Sequence, residues 1–314
     1  MKPGEPLALL SRRAFLRRGT LVMAAATLGR WVRSGWTADV PATKPALRFG
    51  LITDVHYADK APTTKRFYRE SIAKMREAVA KFREAKPAFV IEVGDLIDEA
   101  PTVEGEIGHF KTIDAEYALL PCDRHYVLGN HDVWTLTKAQ FLDAAGRKAA
   151  HYSFDNSGHH FVVLDSCYRT DGVAYGGKNF KWDDTDVPAA QRDWLAADLK
   201  ATGKPTIVFI HHRTDIADPH AITSGAEVRK IFETSGKVLA VFQGHQHINA
   251  HNEINGIHYV TMMATVDGSG ETNSAYALLE VFADGTISVD GFRRQADYSL
   301  ARGIRTPTAA RLFE

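Results

Sequence analysis

From residue 46 onward the chain alternates between two hydrophobic periods. ALRFGLITD (46–54) is a nearly unbroken apolar run of strand length, the pattern of a strand buried on both faces. TTKRFYRESIAKMREAVAKFREAKP (63–87) instead spaces Phe67, Ile72, Met75, Val79 and Phe82 along one helical face, which predicts a helix. AFVIEVGD (88–95) reads as a second strand, EGEIGHFKTIDAEYALL (104–120) as a second helix and RHYVLGN (124–130) as a third strand. Strand, helix, strand, helix, strand is the signature of an α/β fold around a parallel sheet. Beyond a helix at TKAQFLDAAG (137–146), HYSFDN (151–156) and HHFVVLDS (159–166) flank an Asn-Ser-Gly turn and predict a hairpin. Residues 171–186, rich in Gly and Asp, predict a long loop, a class of segment often used for function. The helix AAQRDWLAADLKA (189–201), the strand PTIVFIHH (205–212), the helix GAEVRKIFETSG (225–236) and the strand KVLAVFQGHQH (237–247) follow. The strands GIHYVTMM (256–263), AYALLEVF (275–282) and TISVDGF (286–292) close the pattern. No internal repeat or linker interrupts it, so residues 43–314 read as one domain.

Residues 1–42 follow different rules. SRRAFLRR (11–18) carries Arg12, Arg13, Arg17 and Arg18, and a short weakly apolar stretch from Thr20 to Leu28 comes next. Too short to span a bilayer, this resembles a twin-arginine export signal, which implies the twin-arginine translocation machinery as a partner and a periplasmic or other extracytoplasmic destination. Val40-Pro41-Ala42 offers small residues for cleavage, while Arg30 and Arg33 leave an uncleaved membrane anchor as the alternative. Membrane contact is expected through this segment alone.

Charge refines the picture. The chain holds 38 basic and 38 acidic residues, but seven of the basic ones and a single Glu lie in residues 1–38, leaving 31 against 37 in the rest. A mildly acidic domain lacks the basic face that a nucleic-acid polymer requires. Cys122 and Cys167 are too few for a disulfide framework; one bridge is open to them, but Cys167 follows the apolar run FVVLDS and reads as a buried thiol.

Five strands end in the same chemistry. The first runs into Asp54-Val55-His56, the second into Gly94-Asp95 with Asp98 beyond it, and the third into Gly129-Asn130-His131-Asp132. PTIVFI ends in His211-His212 and VLAVFQ in Gly244-His245-Gln246-His247. Each cluster alone could be a turn, since Gly, Asn and Asp commonly end strands. Together, beyond the carboxyl ends of strands in a wound sheet, they converge on one edge. Asp-x-His and His-x-His would each align two side chains if extended, whereas adjacent His211 and His212 would point to opposite faces and contribute one side chain at most. Asp132 reads as a turn former. His109, His125, His151, His159, His160, His220, His251 and His258 read as surface or satisfied core residues. Mixed Asp, Asn and His ligands suit Mn²⁺, Fe or Zn²⁺ and are poor for Ca²⁺, and they are too many for one ion. Two divalent ions about 3.5–4 Å apart activate a water and clamp a phosphoryl group.

The ordered set DVH, GDLID, GNHD, HH and GHQH resembles the calcineurin-like metallophosphoesterases over residues 47–265. That resemblance implies a four-layer α/β/β/α sandwich of mixed sheets flanked by helices. It implies that Asp54, His56 and His247 bind one metal, that Asn130, His211 and His245 bind the other, and that Asp95 bridges them. It also implies that His131 contacts the substrate phosphate and protonates the leaving oxygen, oriented by Asp98. The wording of GLITDVHYAD, KRFYRES, VIEVGDLID and YVLGNHD is similar to the manganese-dependent ADP-ribose and CDP-alcohol diphosphatases, whose vertebrate members carry Gln at the position of His56. A small phosphodiester or pyrophosphate, with a nucleotide as one form, is the substrate class this implies. Cyclic-nucleotide phosphodiesterase or broad phosphomonoesterase activity is the neighbouring reading, and a non-catalytic metal-stabilised binding protein the one from another class. Tyr57, Tyr68, Trp134 and Trp182 are candidates to stack on a base, and Arg66 or Arg69 to hold a second phosphate.

If the N-terminal segment is an export signal, replacing Arg12 and Arg13 together by Lys retains the chain in the cytoplasm. Fractionation of cells expressing both forms checks this, and unchanged export would refute the twin-arginine reading.

Overall fold

The structure, a computed structural model, describes residues 44–301; the expected export segment lies outside them. Two mixed six-stranded sheets form the centre. In the first, β1 (Leu47–Ile52), β2 (Phe89–Glu92) and β3 (Asp123–Tyr126) are parallel. They continue through the antiparallel strands β10 (Ala275–Val281), β11 (Ile287–Arg293) and β12 (Tyr298–Leu300), in the order β12-β11-β10-β1-β2-β3. The second sheet contains β4 (Tyr152–Asn156), β5 (His159–Val163), β6 (Thr206–Phe209), β7 (Val238–Gln243), β8 (Ala250–Ile254) and β9 (Ile257–Thr261). Its order is β4-β5-β6-β7-β9-β8, with β4 and β8 as antiparallel edges.

Helices α1 (Ser71–Ala85), α2 (Val103–Tyr117) and α3 (Lys138–Ala144) cover the outer face of the first sheet, burying Met75, Phe82, Phe110 and Phe141 against Ile52, Val90 and Tyr126. Helices α4 (Ala189–Ala201) and α5 (Gly225–Ser235) cover the second, where Leu195, Leu199, Val228 and Phe232 meet Val162, Val208 and Val241. The inner faces meet in a core of Phe49, Phe89, Phe161, Phe209 and Phe242, with Phe49 stacked on Phe89 at 5.0 Å and edge-on to Phe161 and Phe209 at 5.8 Å. This is the α/β/β/α sandwich that the motif set implied. Every central strand therefore has an apolar neighbour on both faces, which is why each reads as a continuous apolar run.

The strand-helix alternation predicted a parallel sheet; the structure has two sheets, because the inner strand faces bury each other rather than a second helix layer. The helix expected over 63–87 begins only at Ser71, after a single 3₁₀ turn at Tyr68–Glu70. Two strands escaped the pattern. β8 is a half-exposed polar edge strand, joined to β9 by Asn255-Gly256 with both residues at positive φ, and β12 has three residues. Cys167 is a buried free thiol as expected, and Cys122 is half-buried and also free. Among the described residues no helix is long and apolar enough to cross a membrane.

Phe49 is fully buried where the two sheets meet. Phe49→Ala is expected to destabilise the domain by about 3–5 kcal/mol, read from the midpoint of urea unfolding. A loss near zero would show that the sheets are not held by this aromatic core.

Candidate metal centre

The parallel strands β1, β2 and β3 of one sheet and β6 and β7 of the other deliver all nine expected side chains to one junction. Asp54 and His56 follow β1, Asp95 and Asp98 follow β2, Asn130 and His131 follow β3, His211 follows β6, and His245 and His247 follow β7. On one side His247 Nε2 lies 3.3 Å from Asp54 Oδ1 and 3.2 Å from His56 Nε2. His56 Nε2 lies 3.7 Å from Asp54 Oδ1 and 3.4 Å from Asp95 Oδ2. On the other side Asp95 Oδ2 lies 3.2 Å from His211 Nε2. Asp95 thus faces both groups, the place expected of a bridging carboxylate.

These residues fit a divalent cation by the way their protons are held. The Nδ1 of His211 is 2.9 Å from the Val93 carbonyl oxygen, so it carries the proton and Nε2 turns a lone pair inward. His247 Nδ1 faces Asp267 at 3.1 Å and His56 Nδ1 faces Asp98 at 2.9 Å, with the same result. The inward atoms are consequently acceptors facing acceptors. Asn130 Oδ1, His211 Nε2 and His245 Nε2 are buried with no hydrogen-bond partner. Lone pairs converging in this way need a shared cation. Without one, protons carry the balancing charge: burial lowers the affinity of His211 and His247 for a proton, yet Asp95 and Asp54 outweigh it and push each up to about 9. Burial would raise the Asp54 carboxyl, but His247, His56 and His211 hold it well below the usual carboxylate range. Burial, and then its imidazole neighbours His212 and His211, hold the proton affinity of His245 well below its ordinary value, which favours the neutral ring.

The backbone differs from the extended geometry that the Asp-x-His and His-x-His spacing suggested. Asp54, His56, Asp95, His245 and His247 all have φ between +45° and +67°. This left-handed region costs a non-glycine residue roughly 1–3 kcal/mol and recurs at functional sites. Because strand alternation ends where these turns begin, His245 and His247 go to different groups: the ring of His247 lies 5.1 Å from that of His56, and the ring of His245 lies 5.1 Å from that of His211. The same release explains His212, whose ring lies 4.3 Å from that of His245; both histidines of the pair reach the centre, against the expectation of one. Gly129 is required by close approach, since a Cβ there would collide with the backbone nitrogen and Oδ1 of Asp95.

His131 and Asp98 form the outer part of the site. Asp98 Oδ2 is 3.4 Å from His131 Nδ1 but 2.9 Å from His56 Nδ1, so its shorter contact orients a prospective ligand. Lys60 Nζ reaches Asp98 Oδ1 at 2.6 Å, and Arg66 Nη1 lies 3.4 Å from both Asp98 Oδ2 and His131 Nε2. Burial and Arg66 oppose a charge on His131, but Asp95 and Asp98 prevail and raise its proton affinity above the ordinary imidazole range. Of the candidate stacking residues, Tyr57 and Tyr68 are buried and Trp134 packs edge-on against Phe180. Trp182, 46% exposed, is 6.0 Å from His245 and 5.2 Å from His220, ring to ring. Arg69 pairs with Asp59 instead of the site.

Several supporting residues were not legible. Asp132, read as a turn former, accepts from the backbone N–H groups of Asp95 (2.9 Å), Gly129 (2.9 Å) and Ile97 (3.1 Å), tying two motif loops together. Fully buried Lys74 donates to the carbonyl oxygens of Thr265, Val266, Asp267 and Gly268 at 2.7–3.3 Å and fixes the segment that presents Asp267 to His247. Burial lowers this ammonium to about 8 despite Glu70 and Asp267. The signal for Lys74 was a lysine on the apolar face of α1, four residues from Ala78; nothing local marked Asp267.

The model of the calcineurin-like phosphoesterase family matches residues 47–249. A manganese-dependent ADP-ribose/CDP-alcohol diphosphatase of Xenopus laevis is 32% identical over a stretch covering 30% of this chain and 29% of that protein. Its namesake from Oryza sativa subsp. japonica is 23% identical over 81% of this chain and 94% of that one. Among solved structures, a dimetal phosphatase from Danio rerio superposes with a TM-score of 0.71 at 21% identity, covering 83% of this chain and all of that one, which supports the fold.

Asp132→Ala strips the acceptor from three N–H groups at the centre. It is expected to cost about 3 kcal/mol or more in urea unfolding, with Asp132→Asn, which keeps one acceptor oxygen, costing less. Equal and negligible losses would return Asp132 to the role of a turn former.

Proposed function

This chain belongs to the calcineurin-like phosphoesterase family and is a metal-dependent phosphohydrolase, and from that premise we propose that it cleaves small phosphodiesters or pyrophosphates of the nucleoside-diphosphate-X kind. The observation that carries the reading is the pair of acceptor groups meeting at Asp95. Asp54, His56 and His247 would hold one divalent ion and Asn130, His211 and His245 the other, with Asp95 shared between them; Mn²⁺ is the first candidate, since the relatives are named as manganese-dependent. Such a pair supplies an activated water and neutralises phosphoryl oxygens during in-line attack.

The chain's own residues do the rest. His131, with Nδ1 toward Asp98 and Nε2 beside Arg66, is placed to give a proton to the leaving oxygen. Arg66, beside His131 Nε2, can take a phosphoryl oxygen in bidentate fashion, and Lys60 adds charge on the same side. Trp182 and His220 lie against His245, in the other acceptor group, and offer an aromatic surface to a flat group. Cations beside Asp98 and His131 and aromatic rings beside His245 suit a phosphate linked to a nucleoside better than a bare monoester. Export by residues 1–42 would place this activity outside the cytoplasm, where it scavenges phosphate or nucleosides.

The test is turnover by metal-stripped protein resupplied with Mn²⁺ on ADP-ribose, a CDP-alcohol, cyclic AMP, p-nitrophenyl phosphate and bis-p-nitrophenyl phosphate, for the wild type and His131→Ala. Preference for ADP-ribose or the CDP-alcohol is expected, with kcat lower by ~10²–10⁴-fold in the variant and both metal equivalents retained. Preference for cyclic AMP or the monoester would replace the substrate assignment. Inactivity on all five, with Fe²⁺ or Zn²⁺ as well, would favour a binding protein, and loss of metal from His131→Ala would show that its role is misassigned.

A further inference from the structure

The metal position beside His211 has one more imidazole than the set assigned above. His212 is fully buried, its Nδ1 is 2.8 Å from Ser166 Oγ, and its Nε2 is a buried atom without a hydrogen-bond partner. The Nε2 atoms of His211 and His245 are in the same condition. One ring nitrogen from each of the three histidines lies within 4.8 Å of the others. The ring of His212 is 5.0 Å from that of His211 and 4.3 Å from that of His245. Three buried imidazole nitrogens with nothing to bind are costly unless one partner serves them all.

We propose that His212 is a ligand of this second position, which is then built from three imidazoles, His211, His212 and His245, together with Asn130 and the shared Asp95. The inference rests on the dinuclear reading above. Electrostatics selects the tautomer: a cation held by His211 Nε2 repels an N–H aimed at it, so His212 keeps its proton on Nδ1 and donates it to Ser166 Oγ. Ser166 is itself fixed, its carbonyl accepting from Thr185 Oγ1 at 2.7 Å. The two positions consequently differ in chemistry. The first has Asp54 and the shared Asp95 with two imidazoles, a harder set; the second has the shared carboxylate alone with three imidazoles and an amide, a set that ranks cations by their affinity for nitrogen. Mn²⁺ is then better matched to the first position, and Zn²⁺, Fe²⁺ or Co²⁺ to the second.

The experiment is titration of the metal-free full chain with Co²⁺, with visible absorption and chelator competition giving the number of equivalents and the affinity of each. The wild type is expected to take up two. His212→Leu, close in size and unable to ligate, is expected to bind the equivalent held at the His211 and His245 position, the tighter one in the wild type, at least ~10-fold more weakly, and the other as the wild type does, with a changed absorption envelope. Ser166→Ala leaves the imidazole in place but frees its tautomer, and is expected to weaken the same, tighter equivalent less; far-UV circular dichroism verifies that each variant is folded. Two equivalents of unchanged affinity and spectrum in His212→Leu would overturn the assignment. Should His212→Leu not fold, Ser166→Ala decides, and an unchanged tighter equivalent there overturns it. A wild type that takes up one equivalent would instead overturn the dinuclear reading itself.

Discussion

Two buried carboxylates, Asp54 and Asp95, end neighbouring strands of one sheet and face the imidazole lone pairs delivered by the other. Like charges and lone pairs cannot be packed together out of water without a compensating cation, and this requirement organises the rest of the centre. It explains why each of His56, His211 and His247 has its outer nitrogen held by an oxygen, of Asp98, Val93 and Asp267 in turn. It also explains why the centre lies where two sheets meet. Neither sheet alone brings enough donors to one point.

Much of this was legible because the chemistry sits at the ends of strands whose apolar runs are unmistakable. GD, GNHD and GHQH follow those runs directly, so the order of the motifs and their position at carboxyl ends could be read without coordinates. What could not be read was geometry that strand periodicity does not govern. The alternation rule admits only one of His211 and His212, and it stops applying once the chain leaves β6 at Phe209; Asp132 reads as a turn residue because the three backbone donors converging on it come from another loop as well as its own. β8 escaped for a related reason: an edge strand with polar residues on both faces has no hydrophobic signal to give.

The supports of the centre come from distant parts of the chain. Lys74, on α1, gathers four consecutive carbonyl oxygens of the segment after β9, and that segment also donates from Thr265 N to Thr53 O and from Val266 N to Asp54 O. One buried ammonium thus links the helix layer, the loop after β1 and the partner of His247. On the outer side Asp98 is shared by His56, Lys60, Arg66 and His131, so the orientation of two imidazoles is set by one carboxylate.

The left-handed backbone at Asp54, His56, Asp95, His245 and His247 bears on how this protein can drift over generations. Glycine and asparagine enter that region most easily, so at these positions the replacement best suited to the backbone is one that removes a carboxylate or an imidazole. Folding and chemistry pull in opposite directions at the same five residues. A duplicated copy released from selection on this centre would lose carboxylates and imidazoles here first, each exchange relieving backbone strain.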